Sequence, residues 1–115
     1  MTSKRVKNTN SLSKKFGLYE KSFSYLLESL KSIQEIEKAA IFGSRAMGNY
    51  KNSSDIDLAI FGSLVNRQTV STLSQKLNDE LPIPYFVDIV DYNNLESVEL
   101  KEHIDLVGVE MYKRG

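Results

Sequence analysis

Two short segments of the chain carry its strongest structural signal: KAAIFGS at residues 38–44 and DIDLAIF at residues 55–61. The first is an apolar run that ends at a glycine, which is typical of a buried strand. The second alternates polar and apolar residues at its start and predicts another strand, ended by the glycine and serine that follow it. Between the two segments we predict a helical turn over residues 44–48 and a polar loop over residues 49–54.

The two aspartates of the second segment point to the same face of the predicted strand. Because strand side chains alternate between faces, Asp55 and Asp57 lie roughly 7 Å apart along it. Two like charges repel there unless a cation lies between them, and a hard divalent ion that bridges to phosphate oxygens is the expected occupant. Asp88 lies inside YFVDIV, residues 85–90, where an isolated charge is costly. If that strand neighbours the second one, Asp88 completes a triad, shares a metal and accepts the proton of an incoming hydroxyl.

Gly43 and Ser44 lie at the predicted junction between strand and helix. A glycine lets the backbone approach a ligand closely, and the turn after it offers free N–H groups to an anion. The Ser44 hydroxyl adds a donor and Arg45 adds positive charge, while Ser54, which caps or turns the loop, is a further candidate for ligand contact. The pattern predicts a phosphate cradle beside a carboxylate metal site, the combination that phosphoryl or nucleotidyl transfer requires.

The composition limits the kind of metal site. The chain has no cysteine and one histidine, so thiolate sites are excluded and a histidine-built zinc site is disfavoured. Oxygen ligands favour magnesium, manganese or calcium. No apolar run approaches the roughly 20 residues that cross a bilayer, and the basic N-terminus has no apolar stretch behind it. These features indicate a cytoplasmic protein with no membrane partner.

The rest of the chain alternates between helical and extended patterns. Apolar spacing predicts helices over residues 16–37 and 66–81, the latter with its first residue as N-cap, and a last helix near residues 100–107. A short extended piece follows at residues 109–112. This order predicts an α/β (α+β) fold with a small mixed sheet of three or more strands and about four flanking helices.

Charge is unevenly distributed along the chain. The first fifteen residues carry five basic side chains and no acid, although the net charge of the whole chain is zero. We interpret residues 1–15 as a basic, flexible tail, for which contact with nucleic acid or an acidic partner is the alternative role. A single domain is expected over residues 16–115.

IFGSRAMG at residues 41–48, followed by SDIDLAI at residues 54–60, resembles the signature of the polymerase-beta-like nucleotidyltransferase superfamily. It is most similar to the minimal nucleotidyltransferase (MNT) branch. The shared features are an apolar strand, Gly-Ser, a spacer of the expected size, Asp-apolar-Asp and a later strand aspartate. The resemblance covers roughly residues 18–112 and implies the polymerase-beta-like fold.

This resemblance also implies roles for the candidate residues. Asp55 and Asp57 would each bind magnesium in a two-metal site, with manganese as the alternative ion. Asp88 would bind the metal that activates the acceptor hydroxyl. Gly43 and Ser44 would hold the triphosphate of ATP.

The MNT branch further implies a partner. Its members are often antitoxins of HEPN-domain toxins, and some neutralise the toxin by adding AMP from ATP to a tyrosine. The resemblance therefore implies a protein adenylyltransferase that acts as an antitoxin. A binding module that masks the toxin by contact alone is the alternative function, and transfer to a small molecule or an RNA end is a third. A homo-oligomer through the first or last helix stays open, because core packing explains their apolar residues equally well.

Three residues qualify this interpretation. The branch commonly has arginine where this chain has Met47, which removes a charge near phosphate or acceptor. Arg45 is equally compatible with a plain surface position. His103 lies in a polar helical stretch and is expected to be exposed, without a catalytic role.

Overall fold

The structure is a computed structural model that describes residues 11–115. Residues 11–15 are helical. The elements that follow are α1 (Glu20–Ser32), β1 (Lys38–Phe42), α2 (Gly43–Met47), β2 (Ile56–Phe61), α3 (Arg67–Gln75), a π-helical turn (Lys76–Glu80), β3 (Val87–Asp91), a 3-10 turn (Tyr92–Asn94), α4 (Val98–Val107) and β4 (Val109–Lys113).

The strands form one mixed sheet in the order β3-β2-β1-β4. β1 pairs antiparallel with both β2 and β4, and β2 pairs parallel with β3. The end of β1 therefore meets the starts of β2 and β3 at one end of the sheet, which we call the site end. The predicted mixed sheet with flanking helices is confirmed, and the extended piece at the C-terminus is a full strand of it.

The two faces of the sheet carry different cores. One face holds the main core, in which Ile56, Leu58 and Ile60 of β2 are fully buried together with apolar residues of α1 and α3. The other face holds a smaller cluster, in which Phe42 and Ala59 pack against Ile104 of α4. Burying each large apolar side chain contributes about 1.5–3 kcal/mol, so the three apolar residues of β2 fix which face of the strand lies on the main core. Because side chains alternate along a strand, Asp57 points to the lightly covered face.

The first predicted helix is shorter than its apolar pattern. α1 begins at Glu20 rather than at residue 16, because Gly17 adopts a left-handed conformation with φ of 68° that interrupts the helix. Phe16 and Leu18 are nevertheless buried in the core. At the other end, the Arg114 side chain donates hydrogen bonds to carbonyls near the end of α1, including that of Ile33 at 2.9 Å.

The ends of α3 follow local sequence rules. Asn66 is its N-cap, as predicted, and forms a capping box with Thr69, in which each side chain accepts a hydrogen bond from the other residue's backbone N–H. The helix continues as the π-helical turn, which ends at Glu80; Leu81, directly before Pro82, is its extended C-cap.

The tail predicted over residues 1–15 falls mostly outside the described residues. Within its last five residues, the backbone is helical and Ser13 is buried. No helix within residues 11–115 is long and apolar enough to cross a membrane.

Candidate active site

The structure brings two of the predicted carboxylates side by side at the site end. Asp57 is the register partner of Asp88 on the parallel neighbour β3 and of Phe42 on the antiparallel neighbour β1. Register partners on adjacent strands point to the same face. Asp55 lies directly before β2, two residues from Asp57, and shares that face. The condition for a triad, that the third strand neighbours the second, is met.

Electrostatic repulsion concentrates on Asp57. Burial raises the pKa of the Asp57 carboxyl above its ordinary value of 3.8, and the carboxylates of Asp88 and Asp55 raise this pKa further, whereas His103 lowers it. None of the three aspartates accepts a hydrogen bond from any residue within 11–115. Such a cluster of unpaired carboxylates on one face favours a bound cation.

The side-chain positions limit how a metal ion would bind. Within the part of the chain that the structure describes, no three His, Asp or Glu side chains lie close enough together to enclose one. The donor set is still chemically suitable, since carboxylate oxygens are the ligands that magnesium and manganese prefer. The adjacent pair Asp57 and Asp88 is the natural starting point for binding, with Asp55 joining from the start of β2.

Gly43 is required at its position for two reasons. Its backbone has φ of 69° in the left-handed region, which side-chain-bearing residues rarely adopt. A Cβ atom added there would also collide with Oδ2 of Asp57. The chain therefore turns from β1 into α2 in direct contact with the Asp57 carboxylate, which places the predicted phosphate cradle beside the predicted metal ligands.

Ser44 follows this turn as the second residue of α2. Its hydroxyl has no hydrogen-bond partner among residues 11–115, while its carbonyl accepts the N–H of Gly48 at 2.9 Å and so closes the short helix. The Ser44 side chain is half-buried, and its hydroxyl is free to donate a hydrogen bond to a ligand. That Gly43 and Ser44 bind nucleotide stays a prediction.

Arg45 points away from the carboxylates and into the loop before β2, so its predicted contact with nucleotide stays a prediction without support from its position. Its side chain is 1% exposed, and all three of its nitrogens donate to backbone carbonyls: Nε to Ser54, Nη1 to Phe16 and Gly17, and Nη2 to Lys51, Asn52 and Ser54. The guanidinium also lies over the rings of Tyr50 and Tyr85. Arg45 is a structural residue that ties the loop before β2 to the segment before α1.

Ser54 belongs to the same loop. Its Oγ accepts the N–H of Lys51 at 2.8 Å, its own N–H donates to the Lys51 carbonyl, and its carbonyl accepts from Arg45 at 2.9 Å. These bonds fix the loop directly ahead of Asp55, so the turn role of Ser54 is confirmed. A contact between Ser54 and nucleotide stays a prediction.

The comparison with protein families decides the identity of the domain. A family model described as "Polymerase beta, Nucleotidyltransferase" matches residues 25–115. The chain belongs to this family. No curated protein matches the chain significantly.

Solved toxin–antitoxin structures share the fold of this nucleotidyltransferase domain. A chain in a toxin–antitoxin structure with AMP-PNP is 25% identical, with a TM-score of 0.66 over 79% of this chain and 73% of that one. A chain in a variant MntA–HpeT toxin–antitoxin is 26% identical, with a TM-score of 0.64 over 84% and 74%. A chain in the complex of a tri-AMPylated Shewanella oneidensis HEPN toxin with an MNT antitoxin is 24% identical, with a TM-score of 0.55 over 77% and 65%.

The surroundings of His103 differ from the sequence prediction. His103 is half-buried rather than exposed, and its ring meets that of Phe42 edge-on at a centroid distance of 6.1 Å. The signal was present in the sequence, because residue 103 lies three positions after Leu100 and four before Val107. Helical spacing puts all three on the face of α4 that packs on the sheet.

Phe86 is a second residue that sequence reasoning missed, because it was assigned to a buried strand. It is 56% exposed. Its carbonyl accepts the N–H of Ile56 at 2.8 Å, which places it beside Asp55, and strand alternation puts it on the face of Asp88. An exposed aromatic side chain therefore borders the carboxylates, directly before the edge strand β3.

Proposed function

We propose that the chain is a metal-dependent nucleotidyltransferase that transfers AMP from ATP to a tyrosine hydroxyl of a HEPN-domain toxin, and that it acts as the antitoxin of that toxin. The observation that carries this proposal is the pairing of Asp57 with Asp88 in register, directly against the Gly43 turn. A carboxylate that can bind a metal lies against a backbone turn that can bind phosphate.

Each residue has a defined task in this reaction. Gly43 and Ser44 bind the triphosphate, and Asp55 and Asp57 provide oxygen ligands for a divalent cation, magnesium or manganese. When bound, two such ions offset the negative charge on the reacting phosphate and on the leaving pyrophosphate. The acceptor oxygen forms a bond to the α-phosphorus as the bond to pyrophosphate breaks. Asp88 accepts the proton of the acceptor hydroxyl.

The order of the strands sets the direction from which the acceptor arrives. The cradle lies at the end of β1, Asp55 and Asp57 lie at the start of β2, and Asp88 lies on the edge strand β3. In an in-line displacement the attacking and leaving oxygens lie on opposite sides of the phosphorus. With pyrophosphate on the β1 side, the acceptor approaches from the β3 side.

Phe86 supports a protein acceptor. It lies on the acceptor side of the site and leaves more than half of its surface exposed. Exposed aromatic side chains bordering polar groups are typical of protein interaction surfaces. A tyrosine on a folded partner offers both the hydroxyl and an apolar ring to pack against Phe86.

Related structures support the choice of partner. A chain that is 25% identical to this one comes from a toxin–antitoxin structure with AMP-PNP, an ATP analogue. In a further complex that shares the fold, the HEPN toxin is tri-AMPylated. These neighbours direct the choice of ATP as nucleotide and a HEPN-domain protein as acceptor.

One observation favours a second function, neutralisation by contact alone. The three aspartate side chains do not converge on a common point among the described residues, and Met47 provides no charge beside the cradle. A chain that had lost catalysis but kept its fold would still present its surface to a toxin.

Label transfer separates the two functions. The purified chain is incubated with magnesium, each α-phosphate-labelled nucleoside triphosphate and a purified HEPN-domain protein. We expect label from ATP on that protein, and none with Asp57→Asn. Asp79→Asn, which neutralises an exposed aspartate of the π-helical turn, is the matched control and should transfer normally. Absence of label with the unmutated chain, while the toxin is still neutralised, would establish contact alone.

A further inference from the structure

The phosphate cradle lacks the cation that its sequence suggests. Arg45, the basic residue directly after Gly43-Ser44, has all three nitrogens committed to backbone carbonyls. Met47, two residues further, is 53% exposed but carries no charge. A triphosphate held at Gly43 needs hydrogen-bond donors for several anionic oxygens, and α2 itself supplies only backbone N–H groups and the Ser44 hydroxyl.

Helix α4 also lies close to the cradle. Helix α4 lies over the same face of the sheet and contacts both α2 and β1. Its inward residue Ile104 is buried against Phe42 and Ala59, and Phe42 is the residue directly before Gly43. The neighbouring inward residue is His103, whose ring contacts Phe42 edge-on.

The imidazole of His103 is free to bind a ligand. Neither of its ring nitrogens has a hydrogen-bond partner within residues 11–115, although the ring is half-buried. An imidazole carries at least one N–H donor in either protonation state. His103 also lowers the pKa of Asp57, so the ring lies within electrostatic reach of the carboxylate cluster.

We propose that the imidazole of His103 donates a hydrogen bond to the phosphate chain of the bound nucleoside triphosphate and so provides, from α4, the side-chain contact that Arg45 and Met47 do not. This role rests on the proposed nucleotidyl transfer, since it names a further residue that binds the same nucleotide. It makes α4 one wall of the nucleotide site as well as a cover for the smaller core.

Equilibrium binding of magnesium AMP-PNP tests this role without any acceptor. We expect His103→Ala to weaken the Kd measured by calorimetry about 10-fold, the effect of losing one hydrogen bond to a charged group. His103→Gln keeps a donor at similar reach and should recover most of the affinity. Lys101→Ala is the matched control, because Lys101 lies on the same helix but over the ring of Tyr92, and its Kd should stay within about twofold of the unmutated value.

The length of the phosphate chain separates a ligand contact from a packing role. The loss on His103→Ala should be greatest with AMP-PNP, smaller with ADP and absent with AMP, because the hydrogen bond is made to the phosphate chain beyond the α-phosphate. Equal losses for all three nucleotides, or equal losses in the Ala and Gln variants together with a lower melting temperature, would assign His103 to packing against Phe42 and overturn the proposal.

The outcomes also distinguish this inference from the proposed function. If the unmutated chain binds magnesium AMP-PNP and His103→Ala binds it equally well, only the role of His103 is wrong. If the unmutated chain binds no nucleotide, both the role of His103 and nucleotidyl transfer are overturned.

Discussion

The loop that surrounds Arg45 and the site end of the sheet are adjacent in the chain, but they differ in hydrogen bonding. The polar groups around Arg45 are bonded within the protein, whereas the carboxylates at the site end are not. Every nitrogen of the Arg45 guanidinium donates to a carbonyl, and the side chain is buried. The carboxylates of Asp55, Asp57 and Asp88 accept no hydrogen bond from residues 11–115. The protein itself satisfies the first region, whereas the carboxylates of the second are open to solvent or a ligand, since Asp55 and Asp88 are exposed and Asp57 is half-buried.

This difference shows how a small domain holds like charges close together. Repulsion between carboxylates disfavours the folded state, so the segments that hold them must be fixed by other contacts. Arg45 links the loop before Asp55 to the segment before α1, and Asp57 itself is held in β2 between two paired strands. The hydrogen-bonded Arg45 loop and the paired strands therefore hold the carboxylates close together in spite of their repulsion.

The largest expected effect tests the unsatisfied region. Asp57→Asn should lower the rate of AMP transfer by about 1000-fold, because it removes a charge from the proposed metal site. The rate is measured by transfer of label from ATP to the HEPN-domain protein. A variant that transfers at the unmutated rate would show that the chemistry does not occur at the site end of the sheet.

The next effect tests the satisfied region. Arg45→Ala should reduce the free energy of unfolding by about 3 kcal/mol, since it leaves several buried carbonyls without a donor. Arg45→Lys should recover little, because an ammonium cannot reproduce the planar fork. Urea denaturation gives both values. The control Arg67→Ala, at an exposed position of α3, should change stability by less than about 0.5 kcal/mol.

A loss of activity in Arg45→Ala beyond its loss of stability would weaken the contrast between the two regions. If the folded variant bound magnesium AMP-PNP more weakly at a temperature where it is fully folded, the Arg45 loop would contribute to the site as well as to the scaffold.

A smaller effect is expected on the acceptor side of the site. Phe86→Ser should lower kcat/KM for transfer to the protein acceptor about 10-fold through KM, because it removes the proposed apolar contact with the partner. The Kd for magnesium AMP-PNP should not change. Leu64→Ser alters a similarly exposed apolar residue, 71% exposed, in the loop after β2, and should leave both constants unchanged.

The smallest effect concerns stability against pH. Because the pKa of Asp57 is raised above 3.8 in the folded state, the folded chain retains a proton that the unfolded chain has lost. Stability should therefore fall as pH rises from 3.8 through the raised pKa, and this loss should persist at neutral pH. Asp57→Asn lacks this loss, so without metal it should melt above the unmutated chain at pH 7 and lose this advantage below pH 4.

Magnesium should reverse that order. A bound cation offsets the repulsion in the unmutated chain only, so its addition should raise the melting temperature of the unmutated chain and not that of Asp57→Asn. Equal melting curves of the two chains across the pH range, with and without magnesium, would contradict the view that repulsion between carboxylates destabilises the site end.

The amino-acid sequence by itself determined the parts of this protein that follow from local periodicity. Alternation in DIDLAIF put Asp55 and Asp57 on one face and the isoleucines and leucine on the other, and the structure has both arrangements. The breaks at the prolines and the N-cap at Asn66 are local as well. The family signature was readable because Gly43, Ser44 and the aspartates occur at fixed spacing along the chain.

Tertiary structure alone decided which of these residues meet. The approach of Asp88 to Asp57 depends on β3 adding in parallel to β2, which no local pattern encodes. The direction of Arg45 depends on carbonyls of residues 16 and 17, far away in sequence, because a buried guanidinium goes where acceptors can satisfy it. Likewise, His103 lies against Phe42 only because α4 packs on the sheet. Side-chain periodicity is a property of one segment, but hydrogen-bond satisfaction and burial depend on all the segments that surround it.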